Sequence, residues 1–448
     1  MKVLPGLATN LRDAYRVCDV KPLSGESLDR YYVALGARMN TTYGIQVMLE
    51  DQEPGEFAKV LFTGHVGCGK SSELAKIARN EQESYSIIYV QAEEQTDPYD
   101  LEYTDLYLLI IKEVEYSLRK VGLQFDARLL KSFEDWFKDI TKETEETVEK
   151  SVNVDAEASL GSEAPFLAKF LVKMLAQIKA GSKDKTTIRQ TLVKDFSRLK
   201  TDVNLLLSDA DKKLRSKFPN KKGFLLILDG LDKCPPSVSE ELFVSNASQL
   251  QELNLNVIYT VPIATLYAPN FLASTFERAT TVPMVNIYAY HPEVEELEHR
   301  QEFLDEVASV IEARVDINMV FEDRALLIEL AKASGGHIRH LMQMMRDACN
   351  NARVKGYIKI REENVVYASK QLQFGFERSL LRGYYDELVQ IGLQKEISKT
   401  GDDIGRQLLF STAVLEYNGN NRWVYPHPMV RRSDIFKRSR REFEASES

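Results

Sequence analysis

Four cysteines, two tryptophans and six histidines in 448 residues leave little room for several kinds of chemistry. Cys18, Cys68, Cys234 and Cys349 stand far apart, form no CxxC pair and have no histidine cluster nearby, which argues against a zinc site and a disulfide framework. A reducing cytoplasm is the expected compartment. No stretch reaches the roughly 18 uninterrupted apolar residues of a spanning helix. Met1 to Asn10 has no basic region leading into a long apolar run, so neither secretion nor integral membrane insertion is expected. A net charge of −9 argues against the whole chain coating a nucleic acid, although a local basic patch remains compatible with it. With 44% apolar and 28% charged residues, the chain reads as soluble and globular, with about two to four domains.

One segment carries most of the information. Gly64-His65-Val66-Gly67-Cys68-Gly69-Lys70-Ser71 follows the apolar run Val60-Leu61-Phe62 and precedes a helical stretch, Ser72 to Ala78. Its four fixed positions match a phosphate loop, a pattern expected by accident in only about 1 to 2% of chains this long. Amides cradling phosphates need glycine where a Cβ would collide or where φ is positive, and Gly64, Gly67 and Gly69 supply those places. The helix start adds a positive dipole end. Lys70 is expected to reach the β- and γ-oxygens and Ser71 to ligate Mg²⁺, so Gly64 to Ser72 predict a nucleoside triphosphate site.

The surrounding pattern is βαβα: strand 58–63, the loop, a helix to about 80, strand Ser86 to Gln91, a loop over Ala92 to Tyr99, and a helix from about Tyr103 to Val121. That alternation predicts an α/β P-loop core on a parallel sheet, spanning 58–289. Residues 1–57 form an N-terminal helical segment, in which Leu28 to Val33 are placed to cover the adenine. The next matching strand, Gly223 to Asp229, comes so late that a helical insertion is expected at about 122–215. Within it, Thr141 to Ala164 reads as an acidic linker. Phe166 to Ile178 has a wide apolar arc, fitting either a membrane-surface or partner helix or one packed in the insertion's own bundle. Strands at Val257 to Val261 and Thr280 to Tyr288 complete five. A helical lid over 290–375 and a helix-plus-hairpin module over 376–448 follow, the hairpin being Leu408 to Tyr417, an Asn418-Gly419 turn, and Arg422 to Tyr425.

The apolar run ending in Asp229 reads as a Walker B strand whose carboxylate holds the Mg²⁺ shell. Asp232, three residues on, is the candidate that orients or deprotonates the attacking water, since phosphoryl transfer is mostly positioning and charge neutralisation. Glu93, Glu94 and Asp97 lie near the same face and read mainly as solvated loop charges. Thr260 is placed for a γ-phosphate or water contact. Arg278 stands where ring-forming ATPases present an arginine to a neighbouring subunit. Gly335-Gly336-His337-Ile338-Arg339 opens a helix with an apolar face of Ile338, Leu341, Met342, Met345, Ala348 and Cys349, leaving Arg339 off that stripe as a candidate sensor. Met342, Met344 and Met345 read as core filler.

Together the phosphate loop, Asp229-Gly230-Leu231-Asp232, Gly335-Gly336-x-x-Arg339 and the terminal Tyr425-Pro426-His427-Pro428 resemble a STAND-type relative of the AAA+ ATPases. NACHT and KAP proteins are the nearest comparisons, origin-recognition ATPases close behind, and KAP proteins also carry a long insertion between the two Walker motifs. The resemblance implies a nucleotide core, a helical lid and a winged-helix-like module acting as an ATP/ADP switch in bacterial conflict or signalling. It implies that Lys70 and Ser71 bind phosphate and Mg²⁺, and that Asp229 is Walker B with Asp232 the catalytic carboxylate. It further makes Thr260 and Arg339 the two sensors and His427 the histidine that holds ADP. There are departures: no arginine precedes Pro262, no repeat array follows the module, and no separate effector domain fits before residue 57. Recognition and killing are therefore expected of partner effector proteins, with self-association of this chain.

Two further readings stay open on the sequence. One is a DNA-engaging ATPase using the basic run Arg431, Arg432, Lys437, Arg438, Arg440 and Arg441. The other is a constitutive interaction module stabilised by ATP, in which hydrolysis is incidental.

Overall fold

The computed structural model describes residues 6–53, 55–141, 166–181, 185–271, 276, 279–397, 403–419 and 421–447. The chain divides into two compact units: Met1–Tyr43, Thr63–Lys76 and Thr281–Ser448 form the first, and Gly44–Phe62 with Ile77–Thr280 the second. Residues 142–164, expected to be an acidic linker, lie outside the described residues, as does Arg278.

The five expected strands are β1 (Lys59–Gly64), β2 (Tyr85–Gln91), β3 (Gly223–Asp229), β4 (Asn256–Pro262) and β5 (Thr280–Thr281), in the spatial order β2-β3-β4-β1-β5. β2 and β3 run parallel from Tyr85 opposite Gly223 to Gln91 opposite Asp229. β4 joins β3 in parallel, with Leu225 opposite Asn256. Every residue of β3 and β4 is buried, and apart from Asp229, Asn256 and Thr260 both are largely apolar, as parallel strands covered on both faces are. β5 is far shorter than the expected Thr280 to Tyr288. Pro283 has no N–H to give to a ladder, and pairing stops just before it after Val282 N donates to Thr63 O at 2.7 Å.

Helix α4 (Lys70–Glu81) follows β1, and α5 (Tyr103–Lys120) follows β2, opened by a capping box between Glu102 and Asp105. A single helical turn, Ala92–Gln95, begins the segment expected to be a loop. The insertion supplies α6 (Ala127–Thr141), α7 (Phe166–Lys179), α8 (Lys185–Lys194) and α9 (Phe196–Lys217). β2 and α7, α8 and α9 all pack on α5, which is why its residues from Leu106 to Ile111 are wholly buried and apolar all round. Phe170, Leu171, Met174, Leu175 and Ile178 of α7 are buried where it meets α5 and α6, and the Phe137 and Phe170 rings meet at 5.3 Å. The packed-bundle reading of this helix is the one realised. No helix among the described residues is long and apolar enough to cross a membrane.

The first unit is mainly helical. It contains α1 (Leu11–Val17), α2 (Glu26–Tyr31), the start of α3 (Met39–Glu50), and then α10 (Gln301–Glu312), α11 (Arg324–Ser334), α12 (Ile338–Val354) and α13 (Glu362–Ser379). α1, α11 and α13 pack around α12, where Leu341, Met342, Met344, Met345, Ala348 and Cys349 are buried, so the methionines fill a core. Beyond come α14 (Tyr384–Gln394), α15 (Ile404–Phe410), the antiparallel pair β6 (Val414–Tyr417) and β7 (Trp423–Pro426), and α16 (Asp434–Glu447). This hairpin differs from expectation. Leu408 belongs to α15, Thr412 turns the chain at φ 61°, and the strands run Val414–Tyr417 and Trp423–Pro426, with Tyr417 opposite Trp423, so the first strand starts six residues later than expected and the second is shifted by one.

Candidate functional site

Gly64, Gly67 and Gly69 adopt φ of 145°, 89° and 114°, the left-handed and extended-positive conformations that glycine alone takes without strain. They deliver Lys70 to the first position of α4, where its Nζ curls back and donates to Gly64 O at 2.7 Å and His65 O at 2.8 Å. Ser71 sits beside it on the same helical turn. The Ser72 hydroxyl accepts from Leu23 N at 3.1 Å, and the Tyr32 hydroxyl donates to Glu73 at 2.9 Å. The N-terminal segment thus lies along the first turns of α4. Burial and the Glu73 carboxylate both push the Tyr32 hydroxyl's pKa up, so it stays a donor. Arg38 brings a second buried cation to the loop: Nη1 stands 3.9 Å from Glu73, and a Cβ on Gly69 would meet it at 2.9 Å.

The loop is held, through one side chain and two carbonyls, from two later parts of the first unit. His65 Nε2 accepts from Glu416 N in β6 at 2.7 Å. His337, the N-cap of α12, has Nε2 2.9 Å from Val66 O, and Arg339 N donates to Gly67 O at 3.2 Å. The Arg339 side chain lies across Gly67, where an added Cβ would be 2.7 Å from the Arg339 Cβ.

Four of the six histidines converge here, and their hydrogen bonds set their tautomers. His337 Nδ1 accepts from His340 N at 3.2 Å, so the proton is on Nε2 and goes to the Val66 carbonyl. His427 Nδ1 accepts from Met429 N at 3.1 Å, so its Nε2–H donates to His340 Nδ1 at 3.0 Å. All four rings are buried. Burial, aided by the Lys70 charge, pushes His65 down to about 3, and burial does the same to His340; His337 and His427 also fall well below the usual range. The cluster is neutral at ordinary pH. Both nitrogens of His427, the candidate ADP ligand, are engaged by protein groups.

In the second unit, Asp229 ends β3 with both oxygens oriented: Oδ2 accepts from the Tyr89 hydroxyl at 2.8 Å and Gln91 Nε2 at 3.3 Å, and Oδ1 from Gly230 N at 2.8 Å. Burial and the Asp229 charge push the Tyr89 hydroxyl's pKa well up, keeping it protonated. Asp232 is buried in the turn Leu231–Lys233. The Thr260 hydroxyl donates to Leu228 O at 3.1 Å and accepts from Leu231 N at 3.0 Å, tying β4 to the chain around Asp229. Glu93 is not a simply solvated charge: its carboxylate pairs with Lys233 and covers Gly230.

Of the C-terminal cations, Arg431 pairs with Glu296 at 2.6 Å and Arg440 with Glu295 at 2.7 Å. Arg432, Lys437, Arg438 and Arg441 are exposed. Sequence reasoning passed over Tyr89, Gln91, Arg38, His337 and His340 as site residues. The only advance signal was the histidines, scarce elsewhere and concentrated in the motifs.

A glycine-formed phosphate loop between a buried strand and a helix, on a parallel α/β sheet with a second acidic strand tip, defines a P-loop NTPase. Residues 45–249 match the KAP family P-loop domain. No curated protein matches the chain. Among solved structures, the chain is similar to the Aeropyrum pernix ORC2 protein in ADPNP-ADP complexes (12% identity, 99% of this chain and 100% of that one, TM-score 0.43). It is also similar to CDC6P from Pyrobaculum aerophilum (11%, 94% and 100%, 0.39) and to the Aeropyrum pernix ORC1 protein in complex with DNA (14%, 95% and 97%, 0.38).

Proposed function

We propose that this chain is an ATP-binding and ATP-hydrolysing switch that self-associates and licenses partner effector proteins, in the cytoplasm and in bacterial antiviral defence. One observation carries the reading: three consecutive phosphate-loop residues are bonded to elements far along the chain, His65 to Glu416, Val66 to His337 and Gly67 to Arg339. A nucleotide that reshapes the loop acts directly on the lid helix α12 and the hairpin. Moving such an equilibrium from 1:99 to 99:1 takes about 5.5 kcal/mol of differential binding, within reach of a γ-phosphate contacted by Lys70 and Arg339.

Gly64 to Ser72 are the proposed phosphate cradle, Asp232 and Thr260 the water- and γ-phosphate-side residues, and the 376–448 module a winged-helix-like reader of the lid. Mg²⁺ is the expected ion. By their chemistry Ser71 and Asp229 are hard-oxygen groups of the kind it takes, and Asp229 is oriented by the Tyr89 hydroxyl, Gln91 Nε2 and Gly230 N. Bound there, it would neutralise phosphate charge.

The test is amide exchange across 410–430 with ADP and with a non-hydrolysable ATP analogue plus Mg²⁺, alongside particle size. Exchange and size are expected to change with the analogue in wild type and to stay fixed in Lys70→Ala, whose nucleotide affinity falls at least tenfold. Partner activation by a Lys70→Ala chain shown not to bind ATP would refute the switch. The exposed Arg432, Lys437, Arg438 and Arg441 favour DNA binding as a second reading; deleting residues 437–448 should then flatten the salt dependence of DNA affinity, and an unchanged slope removes it.

A further inference from the structure

The outer face of α13 carries charge and apolar surface that the rest of the first unit leaves uncovered. Val366, Lys370, Phe374 and Arg378 recur at every fourth position, so they form one ridge along about 18 Å of helix, apolar and cationic by turns. Val366 is 46% exposed and Phe374 38%, while the inner face of α13 packs on α11, α12 and the helical turn Pro428–Arg431. Beside the ridge, between α11, α13 and that turn, lies a cavity of about 290 Å³. Its floor is apolar, with Leu326, Val365 and the fully buried Met429, and Lys370 and Arg432 stand exposed at its rim. Elsewhere in the unit Arg431 and Arg440 are neutralised by Glu296 and Glu295, and Lys355 by Glu363. Lys370, Arg378 and Arg432 form no ion pair among the described residues.

We propose that this cavity and ridge seat an acidic amphipathic helix of the partner effector, an inference that rests on the switch reading above. An apolar anchor of that helix fills the space over Met429. Apolar and acidic side chains alternating at every fourth position then answer Val366, Lys370, Phe374 and Arg378 in turn, as a helix laid in a groove does. Unpaired cations at the rim steer such a segment in and fix its register. Duplex DNA and an anionic bilayer fit less well. An apolar floor gives phosphates no partner, and Glu329 and Glu362, on the same cavity, repel them.

The seat is bonded to the phosphate loop within the same unit. Met429 N donates to His427 Nδ1 at 3.1 Å, His427 Nε2 to His340 Nδ1 at 3.0 Å, His340 N to His337 Nδ1 at 3.2 Å, and His337 Nε2 to Val66 O at 2.9 Å. The three histidines and Met429 are buried, so the path is shielded from water. A phosphate loop that changes shape around a nucleotide therefore acts on the residue at the floor of the cavity.

The experiment measures the fluorescence anisotropy of a labelled helical peptide, with Glu and Leu alternating at every fourth position of one face, on the full chain with ADP and with a non-hydrolysable ATP analogue plus Mg²⁺. A peptide with Lys in place of Glu, a labelled duplex DNA and phosphatidylserine vesicles are run beside it. The acidic peptide should bind, and the Lys370→Glu, Arg378→Glu double variant should weaken it by about tenfold or more while gaining affinity for the Lys peptide. Both side chains are exposed, so the unfolding midpoint should stay at the wild-type value. No binding of the acidic peptide, equal binding by the double variant, or a loss that the Lys peptide does not regain overturns the docking site. Binding of DNA or vesicles that the double variant loses and the acidic peptide cannot displace overturns it in favour of a phosphate ligand. A peptide bound equally with ADP and the analogue leaves the site standing and overturns the switch. Amide exchange at 410–430 that follows the nucleotide without any peptide binding overturns the site alone.

Discussion

Acidification should loosen the first unit through its histidines, by an amount the burial fixes. His65 and His340 are both buried, and their pKa values are pushed down to about 3. In the unfolded chain each returns to about 6.5. Between those values the unfolded state binds a proton that the folded state refuses, so stability falls as pH falls, by up to about 1.4 kcal/mol per pH unit for each ring. From pH 6.5 to 5.0 the loss is about 1.6 kcal/mol per histidine, allowing for half-protonation of the unfolded ring at the start. His337 and His427, depressed in the same direction, add to it. Carboxylates raised by burial, such as Glu73 and Asp105, tilt the curve the other way, so the informative quantity is a difference of slopes. The assay is urea unfolding followed by Trp423, which stacks on Tyr417 in the hairpin, in a Trp136→Phe background that leaves it the sole tryptophan. Replacing His340 by Gln should remove about 1.6 kcal/mol of the change between pH 6.5 and 5.0, whatever it does to stability at pH 7. Parallel pH curves for the two chains would refute the claim that the buried ring is neutral.

Two other substitutions probe the packing. Arg189→Met should destabilise the second unit by about 3 to 5 kcal/mol, because Asp105, fully buried, loses its charged partner; adding Asp105→Leu should recover much of that in denaturant unfolding. Gly336→Ala should cost about 2 to 4 kcal/mol, since φ is 82° and the new methyl would strike the Val285 carbonyl; a midpoint unchanged from wild type would contradict the backbone path assigned there.

The core was legible because its signals are local. β3 and β4 are dominated by apolar residues, and the glycines of the phosphate loop announce their own φ angles. Less was legible where an outcome depended on distant partners. Phe166 to Ile178 carried one apolar pattern compatible with a membrane surface or a bundle, and only α5 and α6 decide between them. The fifth strand was overread because a β-rich run hid the effect of Pro283 on the ladder. The hairpin was overextended because Leu408 and Leu409 fit a helix face as well as a strand. Glu93 looked like a loop charge since nothing local reveals that Gly230 lies beneath it. The concentration of histidines in the motifs hinted at a shared site but not at its bonds, because His65, His337, His340 and His427 come from three distant stretches of the chain.

The phosphate-loop glycines serve two masters. Gly67 makes room for Arg339 and Gly69 for Arg38, so the spacing that bares amides to a phosphate also seats two arginines from opposite ends of the chain. Mutant alleles at Gly67 should therefore resemble lesions at the start of α12 as much as losses at the phosphate loop. A suppressor screen starting from Gly67→Ala ought to return changes at position 339, pairing two sites that sequence distance would never connect.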